Sequence, residues 1–414
     1  MKTKLNLAVA AALLAAASSA NAGIMIPAGD WTLDIGGIVN TYYTHTNHSG
    51  DNHGGGYGGA LFTSANGLEG SGGDDSVSNI TTGLLPNYLS VSGKTRQNDV
   101  DVGFTISVNP GSSTSNAGKQ GSHQENRQAF LTFGDKSWGS IKVGKDLGIF
   151  ASDAILNDMT LLGVGSGAGG LAGNTTTTGR IGTGFIYADW KSQIAYSSPN
   201  FSGFSFTAGV TQAWDAIAVG SVGGSATSSQ RGGSSPAFEG KASYEWTGDV
   251  GGKVWVSGLT QKVEDFGPGI GDDRATAYDI GATINLAGFG LTGYYYDGSG
   301  IGQTVALNHG FDALGNDRDS DGYYVQATYT LPGVGTKLGA SYGKSTLEGN
   351  SGEVLDELED SMWTVGAYHP LTKHLNLVAE YSVVKSEFDR SFGLSSLDAK
   401  AKTIAFGAIL FFYN

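Results

Sequence analysis

Sixteen short segments of alternating apolar and polar residues, joined by links of two distinct kinds, constrain this chain more than any other feature. The segments lie near 31–43, 87–95, 99–108, 126–133, 139–145, 184–198, 203–212, 237–247, 251–262, 275–286, 289–297, 321–331, 335–345, 361–369, 374–385 and 402–412. A period of two puts every second side chain on one face of a strand. In DVDVGFTISV (99–108), Val100, Val102, Phe104, Ile106 and Val108 share one face, and Asp99, Asp101, Gly103, Thr105 and Ser107 share the other. Such a strand suits either a soluble sandwich or a transmembrane barrel whose apolar face meets lipid. The links choose between them. From the second segment onward, short links (QND near 97, LAG near 287, LPGV near 332, PLTK near 371) alternate with long ones (109–125, 146–183, 213–236, 298–320, 346–360, 386–401). Short turns at one end and long loops at the other predict an all-β transmembrane antiparallel barrel of even strand number, with the long loops outside the cell.

Composition agrees. The 67 glycines, 18 tyrosines and 8 prolines fit many strands and turns better than helices. No run approaches 18 apolar residues, which excludes a membrane-spanning helix but not a spanning strand. Residues 1–22 read as a secretory signal: Lys2 and Lys4 precede an apolar run, and Ala20-Asn21-Ala22 forms the cleavage site. The mature barrel, 23–414, then holds 414 − 22 = 392 residues with 24 − 2 = 22 basic against 38 acidic groups, a net charge of −16. That balance repels nucleic acid and attracts cations. Cys is absent, so no disulfide staples the fold. Aromatics gather near segment ends (Tyr244, Trp246, Tyr294 to Tyr296, Tyr323, Tyr324, Trp363, Tyr368, Phe411 to Tyr413), as a membrane girdle requires.

The stretch Arg127–Pro199 stands apart. It opens with a tight hairpin, RQAFLTFGDKSWGSIKVGKD (127–146), and continues through about forty residues without a sustained strand pattern. An insertion of that length in a chain of short strands signals function. The reading is a loop folded into the lumen, narrowing it.

NRQAFLTFGDKSWGSIKVGKDLGIFASDAILNDM (126–159), IAYSSPNFSGFSF (194–206) and MWTVGAYHPLTKHLNLVAEYSVVK (362–385) with KTIAFGAILFF (402–412) resemble the general Gram-negative porins over essentially the whole mature length. The resemblance implies a sixteen-stranded outer-membrane barrel, a homotrimer surrounded by outer-membrane lipid and lipopolysaccharide, with a constriction loop laying acids opposite wall bases. On that match Arg127 is a wall arginine, Asp158 and Asp153 are loop acids, and Lys145 is a basic position available for subunit contact. Asp189 stands where one branch carries a wall arginine, with Lys191 on the same face; Leu162 and Tyr88 stand where that branch has an acid and an arginine. The chain also runs past Phe412 to Tyr413 and Asn414, whereas the family usually ends in Phe.

A passive channel for small hydrophilic solutes and ions needs no cofactor, and its selectivity comes from charge in a narrow lumen. The pore-facing acids are read as Asp101, Asp153, Asp158, Asp189 and Glu239, opposed by Arg127, Lys142 and Lys191, which predicts weak cation preference. DRDSDG (317–322) matches half of a calcium loop, with Asp317, Asp319 and Asp321 at alternate positions, Gly322 for the turn, and Asp312 and Asn316 nearby; its twelfth position is Thr328 rather than Glu. An outer-loop Ca2+ site is therefore an expectation. GVGSGAGG (163–170) lacks the strand-turn-helix setting of a nucleotide loop, and nothing fixes His45, His48 and His53 around a metal. No G-x-S-x-G or H-E-x-x-H motif points to an enzyme. The rival reading is a barrel acting as a surface adhesin or receptor through its long loops.

Overall fold

The computed structural model describes residues 24–50, 76–112, 124–167, 176–216, 234–267, 269–312 and 314–412. Its sheet contains nineteen strands; three short ones (Ile24–Ala28, Ser76–Thr81, Gln124–Glu125) are appendages, and 19 − 3 = 16 form the wall. In chain order these are β1 Trp31–Gly50, β2 Tyr88–Gln97, β3 Val100–Pro110, β4 Ala129–Asp135, β5 Gly139–Leu147, β6 Trp190–Ser197, β7 Phe204–Thr211 and β8 Ala237–Trp246. The second half comprises β9 Val250–Val263, β10 Asp273–Leu286, β11 Phe289–Ser299, β12 Asp319–Thr330, β13 Lys337–Glu348, β14 Leu355–Pro370, β15 Leu375–Arg390 and β16 Leu397–Phe411. Each strand pairs antiparallel with its neighbours, and the wall closes where Ile38 of β1 faces Tyr88 of β2 on one side and Phe411 of β16 on the other. Closure removes the edges, so the wall's peptide groups are satisfied within the sheet, as a lipid environment demands.

Turn chemistry sets the short end. Asn98 and Asp99 (φ 48° and 62°) and Ala287 and Gly288 (φ 48° and 88°) hold two consecutive left-handed residues, the two-residue turn that matches strand twist. At the other end the strands run further than the alternation suggested. β14 and β15 each span 16 residues, so the links expected at 346–360 and 386–401 shrink to 349–354 and 391–396. The polar stretch expected as one loop over 44–86 begins as strand to Gly50 and returns as Ser76–Thr81. His45 and His48 thus lie on a strand, while His53 lies outside the described residues, as do residues 1–22, Tyr413 and Asn414.

Faces follow the pleat. Val254, Val256, Ile280 and Ile284 are exposed on the outside, while Trp255 between them is buried inside against Gly281, where an added Cβ would lie 2.1 Å from its ring. The girdle expectation needs a correction for the same reason. Tyr244, Tyr295, Tyr323 and Trp363 do face outward, but Tyr294, Tyr296, Tyr324 and Tyr368 are buried within the barrel, because consecutive strand residues point to opposite sides.

The calcium-loop expectation is also corrected. Asp319 and Asp321 belong to β12 and Gly322 is an ordinary strand residue, so no turn gathers these carboxylates; next-but-one strand residues are separated by about 6.6 Å. Asp317 instead accepts from Ser299, and Asp312 accepts from the N–H groups of Leu314 and Asn316, each at 2.8 Å. Among the described residues no group of three His, Asp or Glu is placed to hold a metal.

The outward assignment is testable at Val256, which faces Ile280 across the β9–β10 pair. Val256→Lys should cost about 2–4 kcal/mol in urea unfolding from lipid vesicles if the site lies near mid-membrane. An unchanged unfolding midpoint would place it away from lipid.

Candidate constriction site

Between β5 and β6, residues 148–167 and 176–189 turn into the lumen. An irregular chain there must find partners for its peptide groups among wall side chains. It does so in sequence order. The Glu239 carboxylate of β8 accepts from Ile149 N (2.8 Å) and Phe150 N (2.9 Å) with one oxygen, and from Lys191 Nζ (2.6 Å) and Thr211 Oγ1 (2.8 Å) with the other. Ser257 Oγ of β9 accepts from Ala151 N at 3.2 Å. A short helix follows, α1 Ser152–Asn157, then a 3-10 turn Met159–Leu162. Asp158 breaks the two with extended backbone and caps the second, accepting from Thr160 N at 3.0 Å.

The inward tyrosines and amides take over along the far wall. Tyr324 of β12 donates to Ala154 O (2.9 Å), Gln326 brackets the turn through Met159 N (2.6 Å) and Asn157 O (3.1 Å), and Tyr42 of β1 donates to Leu162 O (2.8 Å). Glu380 of β15 accepts from Val164 N (2.7 Å) and Gly165 N (2.8 Å) and from the Tyr368 hydroxyl (2.6 Å). Gly163 is required here, since a Cβ would sit 2.2 Å from that carboxylate. On the return, Arg180 donates to Met362 O at 3.0 Å and to Ser341 Oγ, and Gly184 N donates to Ser345 Oγ at 2.9 Å. The loop thus lines the inner wall from β8 round to β1. The inner faces of β2 to β5 carry Ser90, Ser92, Thr105, Thr132 and Lys142, with Lys94, Arg96 and Asp101 nearer the short turns.

The structure places the sequence-derived site residues as follows. Asp153 lies in α1, but its carboxylate is buried against two wall lysines, Lys253 (2.5 Å) and Lys241 (3.1 Å). Burial pushes this carboxyl up, yet the two ammonium groups outweigh it and hold it below the ordinary range. Asp158 is wholly buried beside Arg180 at 3.9 Å; burial pushes the carboxyl up and the guanidinium down, against their mutual attraction. Neither acid is a free charge on the lumen surface. Lys191 and Glu239 do face inward, but they bury each other, at 1% and 0% side-chain exposure, beneath the loop's first turn. Asp189 is not on a wall strand: β6 begins at Trp190, and Asp189 is a left-handed turn residue (φ 56°) whose carboxylate accepts from Trp190 N. The apolar residues 184–188 imitate a strand because they pack inside the barrel.

Arg127 is buried where the loop rejoins the wall, bonded to Glu125 (2.6 Å) and resting 5.6 Å from the Trp190 ring. Lys142 faces the lumen, pairs with Asp146 and lies 4.9 Å from the Phe130 ring. Asp101 is inward but close to the short turns, paired with Arg96 at 2.8 Å and remote from the loop. Lys145 points outward, opposite Ala129 and Ser192 on the flanking strands. Alternation analysis missed Lys241, Lys253, Arg180 and Glu380. Lys241, Lys253 and Glu380 occupy inward positions of their strands, a legible signal, but Arg180 lies in an aperiodic segment and carried none.

Glu239→Leu leaves Lys191 buried without its counter-charge, which should cost about 3–5 kcal/mol in urea unfolding and make the open channel noisier as residues 149–151 lose their anchor. Adding Lys191→Met should restore the part owed to the stranded ammonium, while Ile149 N and Phe150 N stay without their acceptor; a double variant as unstable as the single one would contradict the pairing.

The sequence profile of the Gram-negative porins matches residues 8–389. No curated protein matches the chain in sequence. Among solved structures, the outer membrane channel DcaP of Acinetobacter baumannii is similar at 15% identity, covering 93% of this chain and 99% of that one, with TM-score 0.60. OmpF of Salmonella typhi, in complex with daunomycin, is similar at 16% identity over 93% and 100% of the two chains (TM-score 0.56). OmpT of Vibrio cholerae is similar at 14% identity over 94% and 99% (TM-score 0.56). At these identities the structures share the fold, a closed barrel. Together with the profile match over most of its length, this shows that the chain belongs to the Gram-negative porin family and is an outer-membrane diffusion channel.

Proposed function

We propose that this channel passes small hydrophilic solutes and ions without cofactor or bond chemistry, with a weak preference for cations, and that it works as a homotrimer. The observation carrying the selectivity is the pairing of charges at the constriction. Asp153 meets Lys241 and Lys253, Asp158 meets Arg180, and Glu239 meets Lys191. Matched pairs in a narrow lumen give little net field. Glu380, held by N–H and O–H donors, lies within electrostatic reach of Lys337 and Arg180, so what is left is the −16 balance of the mature chain derived above.

The homotrimer reading draws on OmpT of Vibrio cholerae, whose in-vitro folded form is described as a trimer. Here it is supported by Lys145, an outward ammonium on the wall: a charge facing lipid near mid-membrane costs about 2–4 kcal/mol, whereas a neighbouring subunit offers partners. Outer-membrane lipid and lipopolysaccharide are the proposed surroundings. Just beyond the outward tyrosines, Lys344, Lys385 and Lys400 lie in one cross-strand row over β13 to β16, the first two paired with Glu359 and Glu387, a mixed-charge belt at the level of lipid head groups.

Reversal potential across a salt gradient tests the selectivity. Lys142→Gln removes the cation facing Asp146 and should raise the cation/anion permeability ratio by a factor of about five at most, corresponding to a partly exposed pair of about 1 kcal/mol or less. An unchanged ratio would take Lys142 out of the conducting path. Replacing 152–180 by a short Gly-Ser link should raise unitary conductance in a planar bilayer. A surface adhesin or receptor would be indifferent to it, and a barrel that inserts but never conducts would end the channel reading.

A further inference from the structure

The connection between β11 and β12 has the length of an outer loop, yet its described residues, 300–312 and 314–318, turn into the barrel. Ile301, Gln303, Thr304, Leu307 and Phe311 are each at most 1% exposed. Ile301, Leu307 and Phe311 pack in one cluster with the inward residues Trp255, Tyr294, Tyr296 and Tyr324 of the wall and with Phe185 and Ile186 of the constriction loop.

The segment is a closed loop in its own right. Gly300 N donates to Arg318 O (2.9 Å), Arg318 N to Gly310 O (2.7 Å), and Leu307 N to Ile301 O (2.6 Å), so its ends meet and its tip folds on itself. Three sets of contacts seat it. Gln303 Nε2 donates to Ser345 O of β13 at 2.7 Å, and Ser320 Oγ of β12 to Gly302 O at 2.7 Å. Tyr187 N of the constriction loop donates to Thr304 O at 2.9 Å, so the two loops join edge to edge. At the outer end Arg318 clasps Glu353 of the 349–354 link with two N–H groups, one at 2.8 Å, and donates to His309 O (2.8 Å) and Phe311 O (3.0 Å). Asn350 of the same link donates to the Asp312 carboxylate at 3.1 Å.

The inward part, IGQTVALNH (301–309), has no carboxylate, ammonium or guanidinium. Burial, and after it the Arg318 guanidinium, hold the His309 imidazole down at about 4, so it is neutral at pH 7. The constriction loop by contrast carries Asp153, Asp158 and Arg180.

We propose that the inward part of this loop, residues 301–309, is a second, uncharged constriction element, seated on the first, which closes the β11–β14 side of the lumen and sets the size limit of the pore without shaping its charge preference. It rests on the channel reading above. Size and charge are then divided between two loops: the first brings ionised groups, the second only volume. Burying an amide is unfavourable unless it is bonded, and Gln303 bonds through its N–H groups to the Ser345 and Leu358 carbonyls of two wall strands, while its own Oε1 has no partner among the described residues.

The test uses the mature protein in planar bilayers and in liposomes. Ile301–His309 is excised and Gly300 rejoined to Gly310 through Ser-Gly; the ends already touch, since a Cβ on Gly310 would lie 2.1 Å from Gly300 O. The expected result is a larger unitary conductance and faster liposome swelling in a neutral oligosaccharide, with the reversal potential unmoved. Unchanged conductance and swelling would overturn the proposal, and a shifted reversal potential would overturn its division of size from charge. A second variant tests the seating even if the excised chain fails to fold. Gly182→Cys with Thr304→Cys places two Cβ atoms about 3.5 Å apart, within disulfide range, in a chain that has no other Cys. Because the left-handed backbone at Gly182 (φ 78°) strains a side chain, the Gly182→Cys single variant is first shown to conduct. Supporting the seating, the bond forms under mild oxidation in the folded protein and leaves the conductance at the parent value; failure of this pair to cross-link in a conducting barrel overturns it. If the parent itself never conducts, the channel reading fails, while cross-linking still reports where the loop sits.

Discussion

A peptide chain that enters a barrel without joining its sheet must still satisfy its N–H and C=O groups, and the rest of this interior depends on how that is done. Glu239, Ser257, Tyr324, Gln326, Tyr42, Glu380 and Ser345 each meet a backbone group of the constriction loop. They come from strands spread round the wall, so the loop is held at many points. Carboxylates serve best at the most enclosed points because one oxygen accepts from two adjacent N–H groups, as Glu239 and Glu380 both do.

The same requirement explains why the ionised groups come in pairs. A carboxylate recruited for its acceptors brings a charge into a confined space, and an unpaired buried charge is far costlier than a paired one. Lys191 answers Glu239, and Lys241 and Lys253 answer Asp153. Glu380 is the variation, bonded to three donors that carry no charge, with Lys337 and Arg180 acting on it only from a distance. Charges that look from sequence like parts of a filter are first of all fastenings, and their effect on ions is what remains after pairing.

The barrel was legible because a strand states its own face: Val254 and Val256 out, Trp255 in, follows from spacing alone. The even strand number and the sorted ends were legible for the same reason, through link lengths. Alternation failed where packing inside a barrel imitates it, as in residues 184–188, and where polar residues continue a strand beyond the membrane, as at His45 and His48. The aromatic girdle was half legible, since Tyr294 to Tyr296 had to divide between two faces. The loop's partners were not legible, because a period of two says which side chains look inward but not which part of an irregular chain will reach them. Arg180 illustrates the limit: nothing around it in TTTTGRIGTG announces that it will lie against Ser341 and Met362.

The anchoring pattern bears on how the protein is made. Tyr42 holds Leu162 across 120 residues, and Glu380 holds Val164 across 216. These contacts join the loop to the first wall strand and to the last but one, which lie at opposite ends of the chain and come near each other only when β16 meets β1. A half-zipped sheet has no complete set of fastenings to offer. The wall must therefore assemble around a loop that is not yet seated, and the narrow part of the channel takes its final form only after the cylinder has shut.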